Sequence, residues 1–207
     1  MTLKLNGSSS GSVSIDAPAS TTGGADITFA LPVADGSSGQ AITTNASGQL
    51  AFATAGLFSS YAIICDQKSN GTAGGAASTS TWNVRDLNTE ITDPDGIVSI
   101  SSNKFTLGAG NYLIKWVAPA HRVNKNQSRL SDVTNTAVIG YGQSMRSYQS
   151  DVTSTNSNGL ARVTPSGSTE YRIEHNAESN EGGEDFGQSG GFGGVEIYTV
   201  VEIYKEA

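Results

Sequence analysis

His121 and His175 are the only imidazoles in the 207-residue chain. One of them would suffice for a Ser–His–Asp hydrolase. No Gly-x-Ser-x-Gly elbow accompanies either, and no serine stands out as a nucleophile among so many. His175 lies in "EYRIEHNAE", where Tyr171, Ile173 and His175 share a strand face. That position predicts a hydrogen-bonded histidine at a sheet edge rather than a base or a metal ligand. The carboxylates Glu178, Glu181, Glu184 and Asp185 cluster in "HNAESNEGGEDFGQSGG" (175–191). Several hard oxygens could hold calcium, but the spacing matches no calcium loop. A solvated acidic loop is the expectation, and a pair of glycosidase carboxylates is a weaker one. "DPDG" (93–96) is explained by a type I turn with Pro at its second position. Cys65, in the apolar run "SYAIICD", reads as a buried, inert thiol. The glycine-rich "SNGTAGG" and "GGFGG" lack the lysine and following helix of a phosphate loop. The expectation is a non-enzymatic chain with no catalytic residue, no metal and no cofactor.

Bulk properties narrow the partners. The net charge is −7, the pI about 4.7, and 15% of residues are charged. Nucleic-acid binding needs a basic stripe, which is missing, and no polybasic segment points to a membrane surface. A single cysteine rules out an intrachain disulfide and fits folding in a reducing cytoplasm. "MTLKLNGSSSGS" has no apolar signal region. No apolar run approaches the roughly 18 residues of a membrane span. A soluble protein made in the cytoplasm, without membrane insertion, is expected.

The elements that would position these residues are strands. Short runs of Val, Ile, Tyr and Phe alternate with Gly/Ser/Asn/Asp clusters. In residues 57–207 strands are predicted near 60–66, 80–87, 97–101, 104–107, 111–118, 127–133, 136–141, 159–164, 169–176 and 194–205. In the first of these, Tyr61, Ile63 and Cys65 share a face. Eight to ten strands without a helix imply a two-sheet sandwich, with the jelly roll as the leading version. Two long loops, 66–81 and 175–191, are where binding would be sought.

Residues 1–56 differ. They hold eight Gly, nine Ser and four charges, Lys4, Asp16, Asp26 and Asp35. "SVSIDAP" (12–18) and "DITFALP" (26–32) match at an offset of 14, pairing Val13 with Ile27, Ile15 with Phe29 and Ala17 with Leu31. Each reads as a short strand closed by proline. "GQAITTNASGQLAF" (39–52) reads as a hairpin turning at "NASG". So small a segment cannot bury its own core. Either it orders through assembly, or it is a flexible arm. The fold class is thus all-β: a C-terminal jelly-roll β-sandwich (57–207) with a small N-terminal β module (1–56).

The run "WNVRDLNTEITDPDGIVSISSNKFTLGAGNYLIKWVAPAH", the following "NQSRLSDVTNTAVIGYG", "STEYRIEH" and the closing "VEIYTVVEIYKEA" resemble the jelly-roll head of bacteriophage fibre proteins. That head is similar in shape to tumour-necrosis-factor-like and complement-type globular heads. The N-terminal "LKLNGSSSGSVSIDAPAS" through "AITTNASGQLAF" resembles a module recurring in phage structural proteins. The resemblance implies a homotrimer that attaches or displays and catalyses nothing. It places the chain in a virion, as a capsid decoration (cement) protein or short fibre knob contacting other virion proteins of capsid or tail. Leu3, Leu5, Val13, Ile15, Ile27, Phe29 and Leu31 would anchor it. The chain is short for a tail fibre with a shaft. The alternative is a tail-fibre head that recognises a host surface glycan or protein receptor, with Tyr148, Phe186 and Phe192 as candidate contacts. A secreted adhesion module is disfavoured by the missing leader and disulfides.

The tetrapeptide VEIY occurs at 195–198 and 201–204. An even offset keeps each side chain on its own face of a strand, whereas on a helix the copy would rotate by about 120°. One long strand is predicted. Val195, Ile197, Thr199, Val201, Ile203 and Lys205 would face the core. In a trimer of the resembling type the last strand lies near the subunit contacts. Tyr198, Val200 and Tyr204, on its other face, would then touch partner chains.

Overall fold

The computed structural model describes residues 3–6, 10, 12–15, 21, 24, 26–37, 39–45, 47 and 49–207. Sixteen strands and no α-helix occur among them. The chain divides into two compact units, Met1–Ala55 and Gly56–Ala207.

In the first unit β1 (Leu3–Asn6) pairs antiparallel with β2 (Ser12–Ile15), Leu3 opposite Ile15 and Leu5 opposite Val13. The backbone of these strands is described, but the side chains of the expected anchors Leu3, Leu5, Val13 and Ile15 lie outside the described residues. The predicted hairpin forms, β3 (Gln40–Thr44) against β4 (Leu50–Thr54), with Ile42 opposite Phe52. Asn45 sets its turn, because Oδ1 accepts from the Ser47 and Gln49 amides at 2.9 and 3.2 Å. The second half of the 14-residue repeat is corrected. Residues 26–32 form no strand, only a single parallel bridge from Ala30 to Gln49. Ile27 and Phe29 are each 59% exposed and Leu31 is 74% exposed. Alternation alone cannot make a strand where the described residues supply no partner edge.

The second unit is a sandwich of two antiparallel sheets. One has five strands in the order β14 (Ser154–Val163), β10 (Tyr112–His121), β16 (Glu196–Glu206), β5 (Phe58–Lys68) and β7 (Thr89–Thr92). The other has the path β12 (Ala137–Tyr141), β11 (Asn124–Asp132), β15 (Thr169–Ala177), β9 (Lys104–Leu107) and β8 (Val98–Ser101). Off that path β13 (Met145–Ser147) pairs with β11, and β6 (Trp82–Val84) with β15. From β5 onward the chain passes between the sheets at β5–β6, β6–β7, β7–β8, β9–β10, β10–β11, β13–β14, β14–β15 and β15–β16, and this repeated crossing of antiparallel strands makes it a jelly roll. Strands β7 and β13 were not predicted. They are short, polar edge pieces without an alternating apolar signal.

Apolar side chains from both sheets fill the space between them, among them Ile64, Phe105, Ile114, Trp116, Ile173 and Ile203. Trp116 is 1% exposed, and its indole N–H donates to Ser128 Oγ at 2.8 Å. Its partner across the ladder is Gly159, where a Cβ would come within 1.9 Å of the indole. The glycine makes room for the ring. In "DPDG", Asp93 accepts from the Ile97 and Val98 amides, both at 2.9 Å, so its carboxylate closes a turn.

Strand β16 forms as predicted, but its parity breaks. Ile197 pairs with Gln67 and Val200 with Cys65, so Tyr198 and Thr199 together oppose Asp66. This β-bulge inserts one residue and reverses the facing of everything before it. From the second bulge residue onward Thr199, Val201 and Ile203 are fully buried, as expected. Before it, Ile197 is 42% and Val195 59% exposed, so neither reaches the core face assigned to it.

Candidate functional site

Three regions bear on function: the polar network under the loops, the outer face of the five-stranded sheet, and the loop tips.

At one end of the sandwich a polar layer replaces the apolar core. Arg85 is 1% exposed. Its Nε donates to Thr199 Oγ1 at 2.8 Å, Nη1 to the Pro119 carbonyl at 2.9 Å, and Nη2 to the Phe186 carbonyl at 2.9 Å. Burial pulls its pKa down to about 9, against the pull of Asp66 and Asp86. Nη1 also lies 3.4 Å from His175 Nδ1. Arginine can only donate, so Nδ1 accepts and the proton sits on Nε2, which meets Asn126 Oδ1 at 3.1 Å. Burial first, then the Arg85 charge, hold His175 well below the usual imidazole range. His175 is hydrogen-bonded as expected, but β15 has neighbours on both sides at that point, β11 and β6. The expected sheet-edge placement is corrected.

The acidic loop is also corrected in part. Asp185 is 1% exposed, not solvated. Its two oxygens accept from the Ala77 and Glu181 amides at 2.8 and 2.7 Å. Backbone bonds Gly74–Gly187 (2.8 Å), Gly75–Gly183 (3.1 Å) and Phe186–Gly75 (3.0 Å) stitch the same two loops together. Glu196 accepts three further amides, from Gly190, Gly191 and Gly71, and these hold its pKa below the usual range. Glu178 pairs with Lys125 at 3.0 Å and Glu181 with Arg122 at 3.1 Å. No cluster of three or more His, Cys, Asp or Glu able to hold a metal occurs among the described residues.

His121 Nδ1 lies 2.8 Å from Ser154 Oγ, the nearest approach to a nucleophile–base pair. The ring is 2% exposed, and its Nε2 is buried without a partner among the described residues. Among the described residues no third group orients the ring as a triad requires. Cys65 is fully buried, and burial pushes its thiol pKa up.

The candidate receptor contacts separate. Phe192 is 97% and Tyr148 45% exposed. Phe186 is 6% exposed, stacked beneath His175 and under the Arg85 guanidinium, and is removed from that set. Sequence reasoning missed this because the loop's low complexity hides a buried ring.

The five-stranded sheet turns a mixed face away from the core. One row crosses Tyr61, Tyr204, Leu113 and Arg162; the next crosses Ile63, Glu202, Lys115 and Leu160; a third crosses Cys65, Val200, Val117 and Asn158. Leu160 is 60% exposed. Lys115 Nζ donates to Glu202 Oε2 at 2.8 Å, and Tyr204 donates to the same oxygen. These bonds hold the Glu202 pKa below the usual carboxylate range. Val200 and Tyr204 lie on this face as expected. Tyr198 does not serve there. The bulge turns it under its own loops, where it is 6% exposed and its hydroxyl donates to the Thr72 carbonyl at 2.7 Å.

No protein-family model matches the chain, and no curated protein matches it. Among solved structures it is similar to the globular domain of zebrafish complement 1qA protein, at 15% identity and TM-score 0.45, over 70% of this chain and 94% of that one. It is also similar to murine APRIL, crystallised at pH 5.0, at 6% identity and TM-score 0.46, over 70% of this chain and 98% of that one. At such identities the fold is read from the two sheets themselves, and function from the side chains.

Proposed function

We propose that the chain is a non-enzymatic structural protein that works as a homotrimer, joined through the outer face of the five-stranded sheet. The observation that carries this is the set of half-buried and exposed apolar groups spread over three rows of β5, β16, β10 and β14: Tyr61, Ile63, Val200, Tyr204, Leu113 and Leu160. Such a face in a single chain leaves apolar area in water, and association removes it at about 25 cal/mol per Å². The Lys115–Glu202 pair at its centre is already satisfied, so it can be covered without stranding a charge.

Within that reading the first unit is the anchor to a larger assembly, a phage capsid or tail, as decoration protein or short fibre knob. The sequence resemblance of residues 1–56 supports it. So does the exposure of Ile27, Phe29 and Leu31, with Val33 as a further exposed neighbour. A receptor-binding fibre head is the second reading, favoured by Phe192 at the loop tip. Light scattering on the purified chain tests the first step: a mass of three chains supports the proposal, and a monomer at micromolar concentration overturns it. Particles assembled with a chain lacking residues 1–55 test the second, since normal incorporation overturns the anchor.

A further inference from the structure

We infer that the outward face of the second sheet carries a binding groove for a carboxylate-bearing sugar. The groove is a shallow, open depression of about 700 Å³ over the ends of β6, β11, β13 and β15. It is made by one chain and uses neither the five-stranded sheet's outer face nor Phe192. The inference therefore goes beyond the proposed function and stands whether or not the chain trimerises.

Its walls present unspent hydrogen-bonding capacity. Among the described residues, the Trp82 indole N–H and the Asn176 side-chain amide have no hydrogen-bond partner. Gln127 donates one side-chain N–H to the Gly142 carbonyl at 3.0 Å, and among the described residues its second N–H and its oxygen have no partner. Ser144 lines the same space. Amides that both donate and accept, set beside an indole donor, suit the alternating donors and acceptors of a polyol.

Charge then selects the ligand. Lys104, Lys125, Arg129, Arg146 and Arg172 share this outer face with three carboxylates, Glu170, Glu174 and Glu178, on a chain whose net charge is −7, and Lys104 pairs with Glu170 at 2.6 Å. Glu174 is consumed by Arg129 and Arg172, both at 2.6 Å, and Glu178 by Lys125. Arg146 makes no ion pair among the described residues. Its guanidinium is held over the Tyr148 ring at 4.5 Å, as Arg129 is over Trp82 at 4.1 Å. Stacking of this kind pre-orders a planar fork that matches a carboxylate bidentately. Tyr148, a candidate receptor contact by sequence, holds Arg146 through its ring.

The test is tryptophan fluorescence on the full chain. Trp82 reports from the groove, while buried Trp116 supplies a constant background. A sialic-acid trisaccharide and a glucuronate tetrasaccharide are titrated against lactose and an acidic peptide of equal charge. A saturable change with at least one acidic sugar, weaker with lactose and with the peptide, is expected. Arg146→Gln should lower that affinity at least about tenfold, the worth of one charge-assisted contact, with an unchanged circular dichroism spectrum. Phe192→Ala should leave it intact. No binding of either acidic sugar up to millimolar concentration overturns the inference. So does equal binding of lactose or of the peptide, or an unaffected Arg146→Gln. Loss in Phe192→Ala alone would move recognition to the loop tip.

Discussion

Arg85 is bound twice to the same residue: its guanidinium lies 4.2 Å from the centroid of the Phe186 ring and donates to the Phe186 carbonyl at 2.9 Å. One buried cation thereby fixes both the side chain and the backbone of a glycine-rich loop. It ties that loop to β16 through Thr199 and to β10 through Pro119. Replacing Arg85 with Met should strand these acceptors and cost about 3–5 kcal/mol, from several buried groups losing partners. Urea unfolding measures it, and a midpoint within error of the parent would contradict the role given to the network.

Gly159 offers a sharper steric test. Gly159→Ala adds only a methyl, but the atoms it meets are the Trp116 ring, itself fixed by Ser128. A loss of about 1–3 kcal/mol is expected from overpacking, together with a red-shifted tryptophan emission as the ring is displaced. Gly167→Ala, where a Cβ meets nothing within 4 Å, is the control and should be close to neutral.

His175 makes stability fall on mild acidification. Its folded pKa lies well below 6.5, so between pH 7.5 and 5.5 the unfolded chain takes up a proton that the folded one refuses. The stabilisation is present above the unfolded pKa and is lost as pH falls toward the folded one. The expected loss over that interval is about 1.4 kcal/mol, one proton's linkage. Denaturation curves at the two pH values measure it. Glu202 and Glu196, whose pKa values are depressed, withdraw their contributions only below about 4.5 and leave this window clear.

Tyr198 and Tyr204 should part company on mutation. Tyr204→Glu and Val200→Glu place charge on the outer face of the five-stranded sheet and should convert trimer to folded monomer, read by light scattering and circular dichroism. Tyr198→Ala empties a site filled by its own chain and should destabilise the fold by about 3–5 kcal/mol, the usual range for a buried aromatic. A Tyr198 variant that dissociates without loss of stability would restore it to the interface.

The sandwich was legible because alternation and turn chemistry repeat with little interruption from residue 57 onward; the ten predicted strands all form. Short-range pattern could not show the bulge at Tyr198 and Thr199. An inserted residue leaves no trace in a run that is β-branched or aromatic at both parities. The buried roles of Arg85, Asp185 and Phe186 were hidden for a related reason. Each is a contact between segments about a hundred residues apart; Asp185 and Phe186 read locally as solvated loop, and Arg85 as an ordinary polar position of a predicted strand. Val200 and Tyr204 could be placed because they lie beyond the bulge, where simple alternation resumes.

The seam between residues 74–77 and 183–187 constrains how this end of the head can change. A Cβ at Gly74 would sit 2.5 Å from the Phe186 carbonyl oxygen, and one at Gly187 would sit 2.3 Å from the Tyr198 ring. Neither loop can be diversified alone. A substitution on one side demands a compensating one on the other, so the two should drift as a covarying pair. Outside the seam, Gln188, Phe192 and Val195 are exposed and are where a library of new surface variants would find room, whereas Gly191 and Gly193 hold positive φ and resist side chains.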